Sequence, residues 1–406
     1  MAVWNGLGIT SGQPYGGYSY FLSDAQYTEV PKWAPVVASL FPRVRMIVDY
    51  SAGTTFPNNS TLSDRIWYKA LKVQNPSIYI LYGATNNVSS IIDHPELSYF
   101  IPSAYQTYRT FLLALAAQAQ ADGIDAFCVG NENLISTAHA NVGMIPTSII
   151  RSSNVATATF SYAHGLTTDD YIFVSGGTDA SFRVADSESG ETIRCTVTSP
   201  TTITYDSIGS DGASAGSYKV NWSAYEVVRK TKALAVDCQA VFTRGPIVYS
   251  ESQGHETPWI NLGISAADID LFGINGYGSG TGDSARKVYW KSMIDALWTA
   301  FEDKLIVTEH NVVQDSGNEQ VSHFNKNNIG FEEFADREIL ERLKYLQELG
   351  VTQVYLFGAA EYPYFASTYP STDYNNAYIV ADYKAVINRV RGERVKKVLF
   401  GVNTLT

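Results

Sequence analysis

The sequence predicts a (β/α)8 TIM barrel, an α/β fold, with a small all-β domain inserted after its fourth strand. Three observations predict it. Short β-rich runs alternate with helical patterns over most of the 406 residues, as βα units around a parallel sheet do. One segment, 147–220, loses the helical period and becomes rich in Thr, Ser and Gly. Eight strand-like runs can be counted, each followed by a helical pattern or a place for one. A doubly wound open sheet is the alternative, but it carries a Gly-rich phosphate turn after its first strand. The stretch "GLGITSGQPYGG" lacks that spacing.

The eight strands are read at 3–9 (VWNGLGI), 43–50 (RVRMIVDY), 77–83 (SIYILYG), 124–130 (IDAFCVG), 246–252 (PIVYSES), 268–275 (DIDLFGIN), 304–309 (KLIVTE) and 352–358 (TQVYLFG). Each is a run of β-branched or aromatic residues of strand length. Between most of them apolar residues recur at three and four, most clearly over 103–121, 222–239, 284–301 and 331–349, and these are the expected helices. The chain therefore divides into a first half-barrel (1–146), the inserted domain (147–220) and a second half-barrel (221–406).

Within the insertion, "ATATFSYAHGL", "DYIFVSGG", "ETIRCTVTS" and "TTITYDS" alternate in polarity between Asp/Gly/Ser turns, which predicts a compact β-module. Residues 152–218 hold two Arg, no Lys and eight acidic residues, more than half of the whole chain's net charge of −11. The motif "HGLTTDDYIFVSGG" resembles small β-modules of phage tail and virion proteins. That resemblance implies docking into a larger assembly.

Composition narrows the function. With 45% hydrophobic and 17% charged residues, the chain suits a large soluble domain. An acidic balance without a basic cluster argues against nucleic acid and anionic membrane as partners. The apolar run "FLLALAA" is too short to span a bilayer. The opening "MAVWNGLGIT" reads as a strand rather than a signal peptide, so a cytoplasmic or virion-associated protein is expected. The three cysteines, Cys128, Cys195 and Cys238, are far apart in sequence, and they form neither a disulfide framework nor a zinc spacing. No cofactor and no metal is expected.

Active sites of such barrels lie at the C-terminal ends of the strands. Strand four runs "FCVGNENL" and ends in Asn131-Glu132; strand seven, "IVTEHN", ends in Glu309. Strand six, "GINGYG", supplies Asn275 and Tyr277, and strand two carries Arg45. Two carboxyl groups at one barrel mouth are what glycoside cleavage requires: one protonates the leaving oxygen, the other attacks or stabilises the anomeric carbon. Strand five ends in Glu251, a substrate contact or a helix cap, and His255 and Trp259 on the following loop fit a sugar subsite. The sequence also holds a decoy. "GNEQ" at 317–320 repeats the Gly-Asn-Glu letters but follows a polar loop.

The pattern resembles clan A of the retaining glycoside hydrolases, barrels with Asn-Glu after strand four and Glu after strand seven. The resemblance covers 1–146 and 221–406. It implies that Glu132 is the general acid/base and Glu309 the nucleophile, with Asn131 on the sugar 2-hydroxyl. It further implies that Tyr277 hydrogen-bonds the nucleophile and that Arg45 helps keep it ionised. The chain departs from the clan at the end of strand eight, where "LFGAAEYPYF" has no tryptophan and Phe357, Glu361 or Tyr362 would line the site. The function so implied is retaining, endo-acting hydrolysis of a β-linked poly- or oligosaccharide by double displacement. The alternative is a glycan-binding virion or surface protein that has no need of the carboxyl pair. A lyase or aldolase would want a Schiff-base lysine at a strand end or a metal set, and the sequence offers neither.

Overall fold

A computed structural model of the chain describes residues 7–10, 34–35, 37–39, 41–50, 56–57, 59–86, 101–134, 143–185, 193–276, 283–310 and 341–356. The first four strands are β1 (Leu7–Thr10), β2 (Arg43–Tyr50), β3 (Tyr79–Asn86) and β4 (Ala126–Asn131). Eight short strands follow: β5 (Ser148–Ser152), β6 (Val155–Thr159), β7 (Tyr171–Gly176), β8 (Ile193–Arg194), β9 (Thr196–Ser199), β10 (Thr202–Asp206), β11 (Gly212–Ser214) and β12 (Tyr218–Trp222). The last four are β13 (Ile247–Ser252), β14 (Leu271–Gly276), β15 (Leu305–His310) and β16 (Val354–Leu356). Strands β1–β4 and β13–β16 close into one barrel in sequential order, and every pairing between them is parallel. The expected barrel, interrupted after its fourth strand, is the fold.

Among the described residues six helices can be bounded: α1 (Asn59–Gln74), α2 (Pro102–Asp122), α3 (Ala224–Gln239), α4 (Thr257–Leu262), α5 (Asp283–Phe301) and α6 (Glu341–Leu349). Their boundaries follow from local chemistry. Pro102 opens α2, where its missing N–H costs nothing, and Gly123 closes it at φ 75°, a left-handed cap that favours glycine. Ser223 caps α3 by accepting from the Glu226 N–H.

Barrel strands alternate inward and outward. Leu81, Ala126, Cys128, Val248, Ile306 and Tyr355 fill the interior in one apolar cluster, while the outward residues pack beneath the helices. Residues at even spacing share a face, so Asn131 and Glu309 fall out of phase with Cys128 and Ile306. Register shifts correct this. The β4/β13 pairing slips between Val248 and Ser250, and the β14/β15 pairing slips between Ile274 and Asn275. Such bulges re-aim side chains at barrel rims. Here they let residues of both parities meet at the mouth.

The segment between β4 and α3 forms two antiparallel sheets, one ordered β11-β5-β6-β10-β9 and the other β12-β7-β8. Buried residues alternate along β5, β6 and β10. Their apolar faces join the helix layer in a single cluster that holds Ile149, Phe160, Leu166 and Ile203 beside Leu112, Val227 and Leu234. Polar contacts reinforce the join. Asp170 accepts from Trp222 Nε1 (2.8 Å) and Lys230 Nζ (2.8 Å), and Glu226 Oε2 accepts from the Tyr171 N–H (3.2 Å). The inserted strands thus meet the barrel through α3, on the helix side of the wall. No helix among the described residues is long and apolar enough to cross a membrane.

Candidate active site

Arg45, on β2, is fully buried inside the barrel. Its Nη1 donates to Glu309 Oε1 at 2.6 Å and its Nη2 donates to Asn131 Oδ1, also at 2.6 Å. Asn275 continues the chain from β14: its Nδ2 lies 3.0 Å from Asn131 Oδ1 and 2.7 Å from Glu132 Oε1. One connected path therefore runs Glu309–Arg45–Asn131–Asn275–Glu132. Five of the residues singled out in the sequence are brought together, four of them at the C-terminal ends of β4, β14 and β15, with Arg45 reaching in from the first half of β2.

Two short hydroxyls lock this network. Ser250 Oγ and Thr308 Oγ1 sit 2.6 Å apart, one donating to the other, and both lie within hydrogen-bond distance of Asn275 Oδ1, at 3.0 and 2.8 Å, which accepts from the hydroxyl whose proton is left. With its carbonyl oxygen so occupied, Asn275 must turn its amide NH2 toward Asn131 and Glu132. Neither Ser250 nor Thr308 stands out in the sequence, since each is one small polar residue within a strand. The signal was there, however: a hydroxyl at an inward position of an otherwise apolar strand needs a buried partner.

Glu132 lies just past β4 with a backbone φ of 55°. A non-glycine residue in the left-handed region is uncommon and costs on the order of 1–3 kcal/mol, and such strain gathers at functional sites. The turn is held by the Glu132 N–H to Ser250 O at 2.9 Å and by Thr85 Oγ1 to Asn131 O at 2.6 Å. Gly130 is required beside it, because a Cβ there would lie 2.9 Å from Tyr249 Cε2.

The two carboxyl groups meet different surroundings. Burial, and next the charge of Glu309, push the Glu132 pKa up to about 7, against the smaller opposing pulls of Asn275, Arg45 and His255. Glu309 is ion-paired with Arg45. A glutamate that titrates near neutrality beside a paired carboxylate can give and take a proton.

The remaining expected residues fare differently. Trp259 is corrected: it is fully buried, its ring stacked on Tyr249 at 4.1 Å, so it presents no face to a sugar. Pro258 stands in the first turn of the short helix α4 here, and the indole is buried against Tyr249 beneath the wall. Glu251 is also fully buried, so it does not reach a substrate directly. It accepts from Tyr249 OH at 2.6 Å and from the Ser252 N–H at 2.9 Å. Burial above all pushes its pKa up to about 8. Asn275 and Arg45 are buried as well and act on the carboxyl groups. Tyr277, Phe357, Glu361, Tyr362 and the decoy at 317–320 lie outside the described residues. Among the described residues no group of His, Cys, Asp and Glu could hold a metal ion.

No protein-family profile matches the chain, and no curated protein matches it in sequence. Solved structures do. The GH5-4 broad specificity endoglucanase from an uncultured bacterium aligns over 95% of this chain and 95% of its own, with TM-score 0.52 and 12% identity. A GH113 β-1,4-mannanase aligns over 93% and 97% with TM-score 0.46 and 12% identity. The GH113 β-mannanase from Alicyclobacillus acidocaldarius aligns over 95% and 96% with TM-score 0.47 and 11% identity. The first similarity shows a shared fold and nothing finer; the other two are too loose to argue from.

Proposed function

We propose that this chain is a retaining glycoside hydrolase acting on β-linked poly- or oligosaccharide, cutting within the chain by double displacement. The observation that carries the reading is the buried path Glu309–Arg45–Asn131–Asn275–Glu132, which ties two differently poised carboxyl groups into one mouth. Glu309 attacks the anomeric carbon while Glu132 protonates the departing oxygen. Glu132, now ionised, takes a proton from water, which attacks the same carbon and releases the sugar. Arg45 holds the nucleophile in place, and Asn131 offers its amide to the sugar 2-hydroxyl, a contact that strengthens in the transition state. Asn275 keeps the acid aimed. Residues 147–220 are proposed to be a separate domain that binds polysaccharide or docks the barrel into a larger, phage tail-like assembly.

The test is release of reducing ends from a panel of plant and bacterial polysaccharides, with the anomer first formed followed by proton NMR. Hydrolysis with a β-product from a β-substrate is the expected result. An α-product would replace retention by inversion. Binding of glycans without any cleavage would leave a glycan-binding protein in place of an enzyme.

A further inference from the structure

The turn that carries Glu132 is held from two sides. Inside the barrel Asn275 holds the carboxyl group. On the other side, Tyr249 of β13 points toward the helix layer, where its ring stacks on Trp259 of α4 and packs against Phe272. Its hydroxyl accepts from the Asn133 N–H at 3.3 Å and donates to Glu251 Oε2 at 2.6 Å. Glu251 is fixed in turn by the Ser252 N–H. Consecutive amides after β4 thus end on consecutive residues of β13: Glu132 on the Ser250 carbonyl and Asn133 on the Tyr249 hydroxyl. Among the described residues the Asn133 side-chain amide has no hydrogen-bond partner. Among the described residues its N–H thus ties Asn133 to β13 on the far side of the left-handed residue.

We propose that Tyr249 and Glu251 form a buried brace that holds the turn carrying Glu132, and so set where the general acid points. Both are positioning residues, since neither reaches the mouth. The inference rests on the hydrolase reading above for its catalytic consequence, but the brace itself is a statement about the turn. A left-handed non-glycine residue relaxes unless its neighbours over-determine it. Loosening the Asn133 tie should let Glu132 swing out of its buried place. The charged and titratable groups acting on this corner are Glu309, Arg45 and His255 on Glu132, and Glu132 and His255 on Glu251.

The experiment compares the wild-type chain with Tyr249→Phe and Glu251→Gln. Two aryl β-glycosides are used, one with a good and one with a poor leaving group. In parallel, Glu132 is titrated by NMR with carboxyl-labelled glutamate, its signal assigned by its loss in Glu132→Gln. In Tyr249→Phe the expected loss of kcat/KM is roughly tenfold or more on the poor leaving group, which needs the proton, and under about threefold on the good one. The Glu132 midpoint should fall from about 7 toward the ordinary carboxylate range. Glu251→Gln should move both readouts the same way by less, and it serves as the test if Tyr249→Phe does not fold. Equal losses on both substrates with an unmoved midpoint would overturn the brace. A wild-type chain that cleaves neither substrate, with a midpoint that still falls in the variant, would leave the brace standing and remove the hydrolase reading.

Discussion

Arg45 in the barrel and Arg151 in the inserted sheets are both buried, and they are wired in opposite ways. Arg45 reaches across the barrel to a carboxylate and an amide on two other strands. Arg151 stays within its own neighbourhood. It donates to Ser210 O, to Ser181 O and Oγ, and to Ser207 Oγ between 2.9 and 3.2 Å, with its guanidinium 4.1 Å from the Phe182 ring centroid. The nearest carboxylate oxygen, on Asp179, is 3.7 Å away. Burial of a cation therefore says little by itself. A guanidinium that satisfies loop carbonyls and hydroxyls closes a fold. One whose partners are a carboxylate and an amide where the barrel strands end holds the groups proposed above to react.

The most damaging way to break the functional side of this contrast is to remove the charge Arg45 holds. Glu309→Gln should fold normally and lose turnover by roughly 10⁴-fold or more, the scale of removing a nucleophile. Glu132→Ala should lose much less on a good leaving group, and azide should restore turnover with a β-glycosyl azide as product, because the small anion replaces the missing base in the second step. Steady-state rates and product NMR check both. Equal losses without an azide adduct would mean that the two roles are not divided as assigned.

Substituting the arginines themselves sharpens the comparison. Arg45→Met leaves Glu309 without its ion-pair partner and Asn131 without a donor; kcat should fall by about 10²–10³-fold, with folding weakened as well. Arg151→Met should lower the unfolding free energy by about 3 kcal/mol, because several buried acceptors lose a charged donor at once. It should leave kcat on small aryl glycosides within about twofold at temperatures where the protein is folded. Denaturant melts paired with initial rates separate the two. A catalytic defect in folded Arg151→Met would mean that the inserted sheets help to build the mouth.

The contrast also marks what could be read from the sequence. Each barrel strand is an apolar run, and Asn131, Glu132 and Glu309 stand where such runs end, so both the strands and their terminal residues were legible. Arg45 was legible as a charge in the middle of a strand. Ser250 and Thr308 were not, because a hydroxyl in "VYSES" or "LIVTE" looks like an ordinary strand residue until its partner across the barrel is known. The two register shifts that bring Asn131 and Glu309 inward depend on the neighbouring strand, which local periodicity does not contain. Trp259 misled for the opposite reason. A large aromatic on a loop after a barrel strand suits a sugar platform, yet the short helix α4 turns it beneath Tyr249.

The smallest effect expected lies at the join between the inserted sheets and the barrel helix, where Asp170 gathers four donors: the Thr167 N–H and Oγ1, Trp222 Nε1 and Lys230 Nζ, all between 2.7 and 2.9 Å. Burial works against its charge, but Lys230 and the hydrogen bonds outweigh burial and hold its pKa below the ordinary aspartate value. A carboxyl group depressed in the folded state stabilises above its unfolded pKa, and that contribution disappears as pH falls through the folded value. Asp170→Asn keeps the shape but loses the charge, so at neutral pH it should cost about 1.5–3 kcal/mol, the range for a hydrogen bond to a charged group. The gap between wild type and variant should narrow as pH drops below about 4, where the wild-type carboxyl takes up its proton. Turnover of small aryl glycosides should not change, because Asp170 sits at α3, outside the barrel wall. Urea melts at a series of pH values measure this. A gap that stays constant into acid would mean that the hydrogen-bond geometry, and not the charge on Asp170, fastens the insertion to the barrel.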